Sequence, residues 1–309
     1  MTANAIDLTT VAAANNYLNQ PGVDASIIQG LITAYSRAVL TRTGRRNLSS
    51  IQNYSETYSG SGSDRLQLRN YPILAVSSLV VGVTAIPQSP RPTQVGWVID
   101  TSGSQATLAL RGASSNGLDG FSRFSRGQGN WGAYGNAPPL GYSPYRFVEG
   151  VQNVAVSYTA GYVLDAIAEA QTVPGTPGPY TVAVDQADDF WLDQGVTLED
   201  GTALTGVPAT PGPGEYTPPA YGVAPLGVYT FNAAQQGVEV NISYQYGGTP
   251  EDLSEAVTEW VGDVYRSRQW IGQKSQMQPG VGTTSYATWP MPDRVKSLCD
   301  FYRMRFITQ

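Results

Sequence analysis

At 309 residues the chain is long enough for two domains, or for one domain carrying a large insertion. Hydrophobic residues make up 41%, alongside 34 Gly and 21 Pro, and no run approaches the roughly 20 apolar residues of a membrane span. A net charge of -6 argues against coating nucleic acid by bulk attraction, and the lack of any histidine removes every Ser-His, Cys-His and His-metal arrangement.

Residues Met1 to Asp7 lack the basic start and apolar core of a signal peptide, so a protein made and kept in a cytoplasm is expected. The single cysteine, Cys299, falls on the apolar side of a predicted helix and reads as a small buried hydrophobe. Lysine occurs only at Lys274 and Lys296; the other basic residues are arginines, whose planar fork suits carboxylates, phosphates and aromatic faces.

Asp7 to Leu18 reads as a short helix capped by Asp7 or Thr9. Asp24 caps a longer helix over Ala25 to Thr43, where Ile28, Leu31, Tyr35 and Ala38/Val39 recur at helical spacing. Gly44 supplies its left-handed stop, and Arg42, Arg45 and Arg46 complement its C-terminus. The period then changes to two. Ile51 to Tyr58 alternates, Gly60-Ser61-Gly62-Ser63 forms a tip, and Arg65 to Leu68 is expected as the partner strand. Further strands are expected within Ile73 to Ile86, Gly96 to Asp100, Ala106 to Arg111 and Val151 to Tyr158. Gly112 to Arg146 has no period. Its arginines and aromatics, Arg123, Phe124, Arg126 and Trp131, are candidates for an arm that orders against a neighbouring subunit, the competing reading being a flexible surface loop.

Two segments echo each other: Gln152 to Tyr162 (QNVAVSYTAGY) and Gly237 to Gly247 (GVEVNISYQYG). An insertion that re-forms the strand it interrupts would leave this pattern. The implied organisation is a first part over 1–162, an inserted β module over 163–248, and a return to the first part over 249–309. Short alternating runs within the module (Tyr180 to Val184, Gly195 to Leu198, Ala203 to Val207, Val228 to Phe231, Val238 to Tyr246) predict a small antiparallel sandwich or barrel, with Glu199-Asp200-Gly201 as a hairpin turn. Thr249 is the expected cap of a helix from Pro250 to about Trp270. Gln273 to Ser285 reads as a polar loop, and Pro292 opens a last helix.

Chemistry-bearing motifs are few. There is no P-loop, dinucleotide fingerprint, Cys-x-x-Cys pair or nucleophile elbow, and no convincing pair of carboxylates, so the chain reads as a non-enzyme without a cofactor. Asp185, Asp188, Asp189 and Asp193 cluster in sequence, but their spacing matches no calcium loop, and no metal site is assigned. The basic aromatic end, Phe301, Tyr302, Arg303, Arg305 and Phe306, reads as a docking tail, against the plainer reading of a last turn packed on its own core.

The order of several segments resembles the head-to-tail connector (adaptor) family of tailed bacteriophages. Leu8-Thr9-Thr10-Val11 leading to Tyr17-Leu18 is similar to that family's first helix, and Ile32 to Arg46 (ITAYSRAVLTRTGRR) to its second. Tyr54 to Gly62, Asp64 to Leu68 and Tyr71-Pro72-Ile73 resemble its strand, Gly-rich tip and following strand. Val156 to Tyr162 resembles its closing strand, and Thr249 to Val264 with Pro292 to Val295 its C-terminal helices. The module between departs from the family, which passes directly from the Ala-Gly-Tyr strand to the Pro-Asp-Leu helix.

The resemblance implies an α+β fold: a helical connector core with an antiparallel β region, here interrupted by an all-β module. It implies a virion neck protein, made in the host cytoplasm, that forms a homo-oligomeric ring of about twelve copies. Such a ring sits between the portal protein and a neck or tail protein below. It passes double-stranded DNA during ejection without sequence-specific binding and has no membrane role. Residues 293–309 would contact the portal. The competing reading is a β-rich surface protein that binds carbohydrate, with Trp191, Tyr216, Tyr221 and Tyr229 as stacking residues.

Overall fold

The computed structural model describes residues 4–19, 24–90, 95–100, 107–111, 146–175, 177–268, 275–278, 282–285 and 291–303. The first elements in chain order are α1 (Val11–Leu18), α2 (Ala25–Thr43), β1 (Gln52–Gly60), β2 (Arg65–Gln67), β3 (Ile73–Val81), β4 (Thr84–Ala85), β5 (Gly96–Asp100), β6 (Thr107–Arg111) and β7 (Gly150–Ala160). There follow β8 (Val163–Thr172), β9 (Thr181–Ala183), β10 (Phe190–Leu198), β11 (Thr205–Gly206), β12 (Glu215–Thr217), β13 (Val228–Phe231) and β14 (Glu239–Gly247). The chain closes with α3 (Glu251–Ser267), a hairpin of β15 (Ser275–Gln278) and β16 (Gly282–Ser285), and α4 (Asp293–Tyr302).

The expected helical core with an ancillary β region is corrected by this count. Sixteen strands stand against four α-helices among the described residues, and the chain is mostly β. The reason is local. Segments given no strand, β8 and β12, and the β15–β16 hairpin, expected as a polar loop, are extended and paired. Residues contact one another in two units, one drawn from Met1–Ile51 and Tyr162–Met304, the other from Gln52–Gly161.

In the first unit the helices share one core. Asp24 caps α2 by accepting from Ser26 N at 2.9 Å and Ile27 N at 3.3 Å, and Gly44 ends it at φ 71°. The Ser26 side chain and the Ser26 and Ile27 amides hold the Asp24 carboxyl below its ordinary range. Helix α1 starts later than its pattern suggested, with Thr10 as cap. Asp7 instead accepts from Gln29 Nε2 at 2.6 Å and Thr33 Oγ1 at 2.9 Å. Pro250, not Thr249, occupies the cap of α3. Leu253, Val257, Trp260, Val261 and Val264 form the buried stripe of α3, packed with Ile28, Ile32 and Val39 of α2 and with Val295 and Cys299 of α4. Each large apolar side chain so buried contributes about 1.5–3 kcal/mol.

The same unit contains two small sheets, β10-β14-β8 and a mixed sheet β11-β12-β13-β9, whose inner residues close over one aromatic-rich cluster. Val182, Tyr216, Tyr229 and Phe231 come from one sheet; Phe190, Val196, Val240, Ile242 and Tyr244 come from the other. Asp200 accepts from Thr202 N at 2.8 Å, and Gly201 turns at φ 86° between β10 and the strand segment that follows.

In the second unit, β1-β7-β3-β4 and β2-β6-β5 enclose a core of Tyr58, Leu66, Leu79, Trp97, Leu108, Phe147, Val154 and Tyr158. β1 and β2 are not hairpin partners, contrary to expectation: β1 pairs with β7 and β2 with β6. The intervening tip is held elsewhere, by Gly62 N on Phe147 O and Phe147 N on Ser63 O, each at 2.7 Å. The echo segments also separate. β7 pairs with β1 and β3, whereas β14 pairs with β8 and β10, so the second copy does not rebuild the first.

Candidate functional site

The described carboxylates with the most enclosed partners are held by tyrosines. Asp193 lies at an irregularity in β10. Its Oδ2 accepts from Tyr216 Oη at 2.7 Å, and its Oδ1 from Tyr229 Oη at 2.9 Å and Gly195 N at 3.1 Å. Glu169 on β8 accepts from Tyr244 Oη at 2.6 Å, Gln171 Nε2 at 2.8 Å and Asp185 N at 2.9 Å. In the second unit Glu56 accepts from Tyr58 Oη and, at 2.8 Å, from Tyr158 Oη.

These hydrogen bonds favour the neutral phenol. Tyr158 is pushed up to about 12, chiefly by burial. Burial, then the carboxylate beside each ring, drives Tyr216, Tyr229 and Tyr244 further upward; Tyr58 moves the same way, by burial and then its bond to Glu56. These phenol-to-carboxylate bonds brace the strands that carry them.

The four aspartates that cluster in sequence do not converge. Asp193 faces the two tyrosines, Asp185 lies beside Glu169 and Gln171, and Asp188 and Asp189 sit in a short 3-10 turn. Among the described residues, no group of three or more His, Cys, Asp or Glu side chains is arranged to hold a metal ion.

A concave site does occur in the mixed sheet. An open groove of about 500 Å³ is lined by Tyr180, Thr210, Pro211, Thr217, Thr230 and Asn232, with Phe231 and Ala233 completing it. Asn232 fixes one wall by donating from Nδ2 to Pro211 O at 2.8 Å, while its Oδ1 accepts from Ala234 N at 3.0 Å. Sequence reasoning missed this groove. Its local signal is a threonine next to a buried aromatic or apolar residue in each short strand, Thr181 by Val182, Thr217 by Tyr216 and Thr230 by Tyr229 and Phe231.

Of the tail residues, Phe301 is 72% exposed and Arg303 is exposed, whereas Tyr302 is 7% exposed and donates to Asp252 Oδ1 at 2.8 Å. Arg305 and Phe306 lie outside the described residues, as do Arg123, Phe124, Arg126 and Trp131. Arg42 pairs with Asp300 at 3.2 Å, and buried Arg45 donates from Nε to Tyr302 O at 2.7 Å. Among the four aromatics considered for sugar stacking, Tyr216 and Tyr229 are buried on Asp193. Trp191 and Tyr221 remain partly exposed and meet edge to face, their centroids 4.6 Å apart. No helix among the described residues is long and apolar enough to cross a membrane.

Comparison with known proteins returns no matching family model and no matching curated protein.

Proposed function

We propose that the chain is a non-catalytic structural component of a tailed-phage virion, placed in the neck between the portal and the tail, where copies assemble into a ring that passes DNA. The observation that carries the reading joins sequence to packing. The segments at the two ends of the chain that resemble adaptor helices, α1 and α2 on one side and α3 and α4 on the other, pack on one core. Thr9 and Thr258 meet hydroxyl to hydroxyl at 2.6 Å, Asp24 N donates to Tyr265 Oη at 2.9 Å, and Tyr35 packs on Trp260 at 4.0 Å between centroids.

Exposed apolar groups add support, because an assembly protein must leave some surface for its neighbours. Phe301 stands out at the end of α4. In the second unit, Val83 at the β3–β4 turn and Val151 at the start of β7 are both almost fully exposed, close to the bond from Gly82 N to Asn153 O at 2.7 Å.

The reading is tested by mass photometry of the purified chain, alone and mixed with capsids that carry portal but lack the neck. A closed ring, or stoichiometric capture on the capsids, is the expected result. A monomer that ignores the portal overturns it. Arg303→Glu with Arg305→Glu is expected to abolish capture; unchanged capture would remove the C-terminal segment from that contact.

A further inference from the structure

We propose that the groove bounded by Tyr180, β12 and β13 is a binding site for a neutral saccharide of one or two rings. Strand register supplies the first argument. Thr217 lies opposite Thr230, and Thr230 opposite Thr181, so three threonines form a row across β12, β13 and β9 on one face. Their neighbours in the strands, Tyr216, Phe231, Tyr229 and Val182, are buried in the core. Two of those hydroxyl residues, Thr217 and Thr230, line the groove.

The second argument is the company they keep. Tyr180 stands at one side, its ring resting over Gly178. A Cβ at that glycine would lie 3.3 Å from the ring, so its absence leaves the aromatic room. Among the described residues, no charged side chain lines the groove. An aromatic ring, hydroxyls and no charge match a ligand with both C–H faces and neutral hydroxyls, which is the chemistry of an uncharged sugar. The volume falls within the range of small-ligand sites, about 300–1,000 Å³.

The third argument is an unmet need. Thr217 Oγ1 is shielded from solvent and has no hydrogen-bond partner among the described residues. Such a hydroxyl weakens the fold unless something bonds to it. For threonine, one step in χ1 carries the hydroxyl to the direction the methyl held, so a sugar hydroxyl arriving in the groove can supply the missing partner.

Thr217→Val separates binding from folding, because it keeps the shape and removes only the unpartnered oxygen. The full chain would be titrated calorimetrically with maltotriose, cellotriose, mannotriose and diacetylchitobiose, with sialyllactose as the acidic control. The expected result is saturable binding of at least one neutral sugar, weakened about tenfold or more by Thr217→Val and by Tyr180→Ala. The thermal midpoint of Thr217→Val is expected to be unchanged or raised. Absence of binding by every neutral sugar at about 10 mM overturns the proposal, since that ceiling already admits very weak ligands. So does preference for the acidic control, or binding that both variants leave intact.

Discussion

The two cores of the first unit are built on different principles. The helical core is closed largely by aliphatic side chains, with Trp260 and Tyr265 among them, and its described phenol-to-carboxylate bonds, Tyr302 on Asp252 and the longer Tyr17 on Asp263, lie at its rim. The core between the small sheets is aromatic: Phe190, Tyr216, Tyr229, Phe231 and Tyr244 touch in sequence, at centroid separations of 5.9 to 6.4 Å. Three of those rings carry hydroxyls that end on Asp193 or Glu169. At these two carboxylates tyrosine, rather than a cation, is the partner. One core therefore depends on volume and the other on polarity.

The contrast breaks most sharply when each core loses its characteristic group. Trp260→Ala opens a large cavity on α3 and is expected to cost about 3–5 kcal/mol, read as a lower urea midpoint and faster hydrogen exchange across 251–267. Asp193→Ala leaves two phenols without their acceptor and is expected to cost about 3 kcal/mol, with faster exchange confined to the β module. If Asp193→Ala leaves protection of β10, β12 and β13 unaltered, the brace is decorative and the core is held by ring packing alone.

Alkaline pH sharpens the comparison further. An unfolded tyrosine titrates near 10.0, whereas Tyr158 in the second unit is held up to about 12 and Tyr216, Tyr229 and Tyr244 are raised still more. A raised phenol contributes stability that is fully present below the unfolded value and is lost as pH climbs from there toward the folded value. The expected slope is about 1.4 kcal/mol per pH unit for each such tyrosine. Tyr216, Tyr229 and Tyr244 brace the β module, against Tyr302 and Tyr35 at the helical core, so loss of protection in the β module, together with tyrosinate absorbance, should precede loss in α3. Simultaneous loss, or loss in α3 first, contradicts the assignment.

The parts legible in the sequence are those fixed by local rules. Asp24 and Gly44 bracket α2 because capping and left-handed termination need only near neighbours, and the stripe on α3 follows from spacing alone. Strand partners depend on distant segments, so β1 was expected beside β2 although it pairs with β7, about ninety residues on. β8 (VLDAIAEAQT) escaped because its Ala, Glu and Asp content opposes strand propensity; pairing along β14 overrides it. The groove was illegible for the same reason. Thr217, Thr230 and Thr181 become neighbours only once three strands are set in register.

The smallest expected effect is the most specific, because it divides two adjacent residues at the end of α4. Phe301 and Tyr302 meet ring edge to face at 5.0 Å, yet only Tyr302 enters the core, where it also meets Tyr162 at 5.4 Å. Tyr302→Phe removes one hydroxyl from Asp252 and is expected to lower stability by about 1 kcal/mol. Phe301→Ser touches a side chain already in solvent and is expected to change stability by less than about 0.5 kcal/mol. Portal capture should respond in the opposite order, lost with Phe301→Ser and kept with Tyr302→Phe. Capture lost in both in proportion to stability would mean that the end of α4 serves the fold alone.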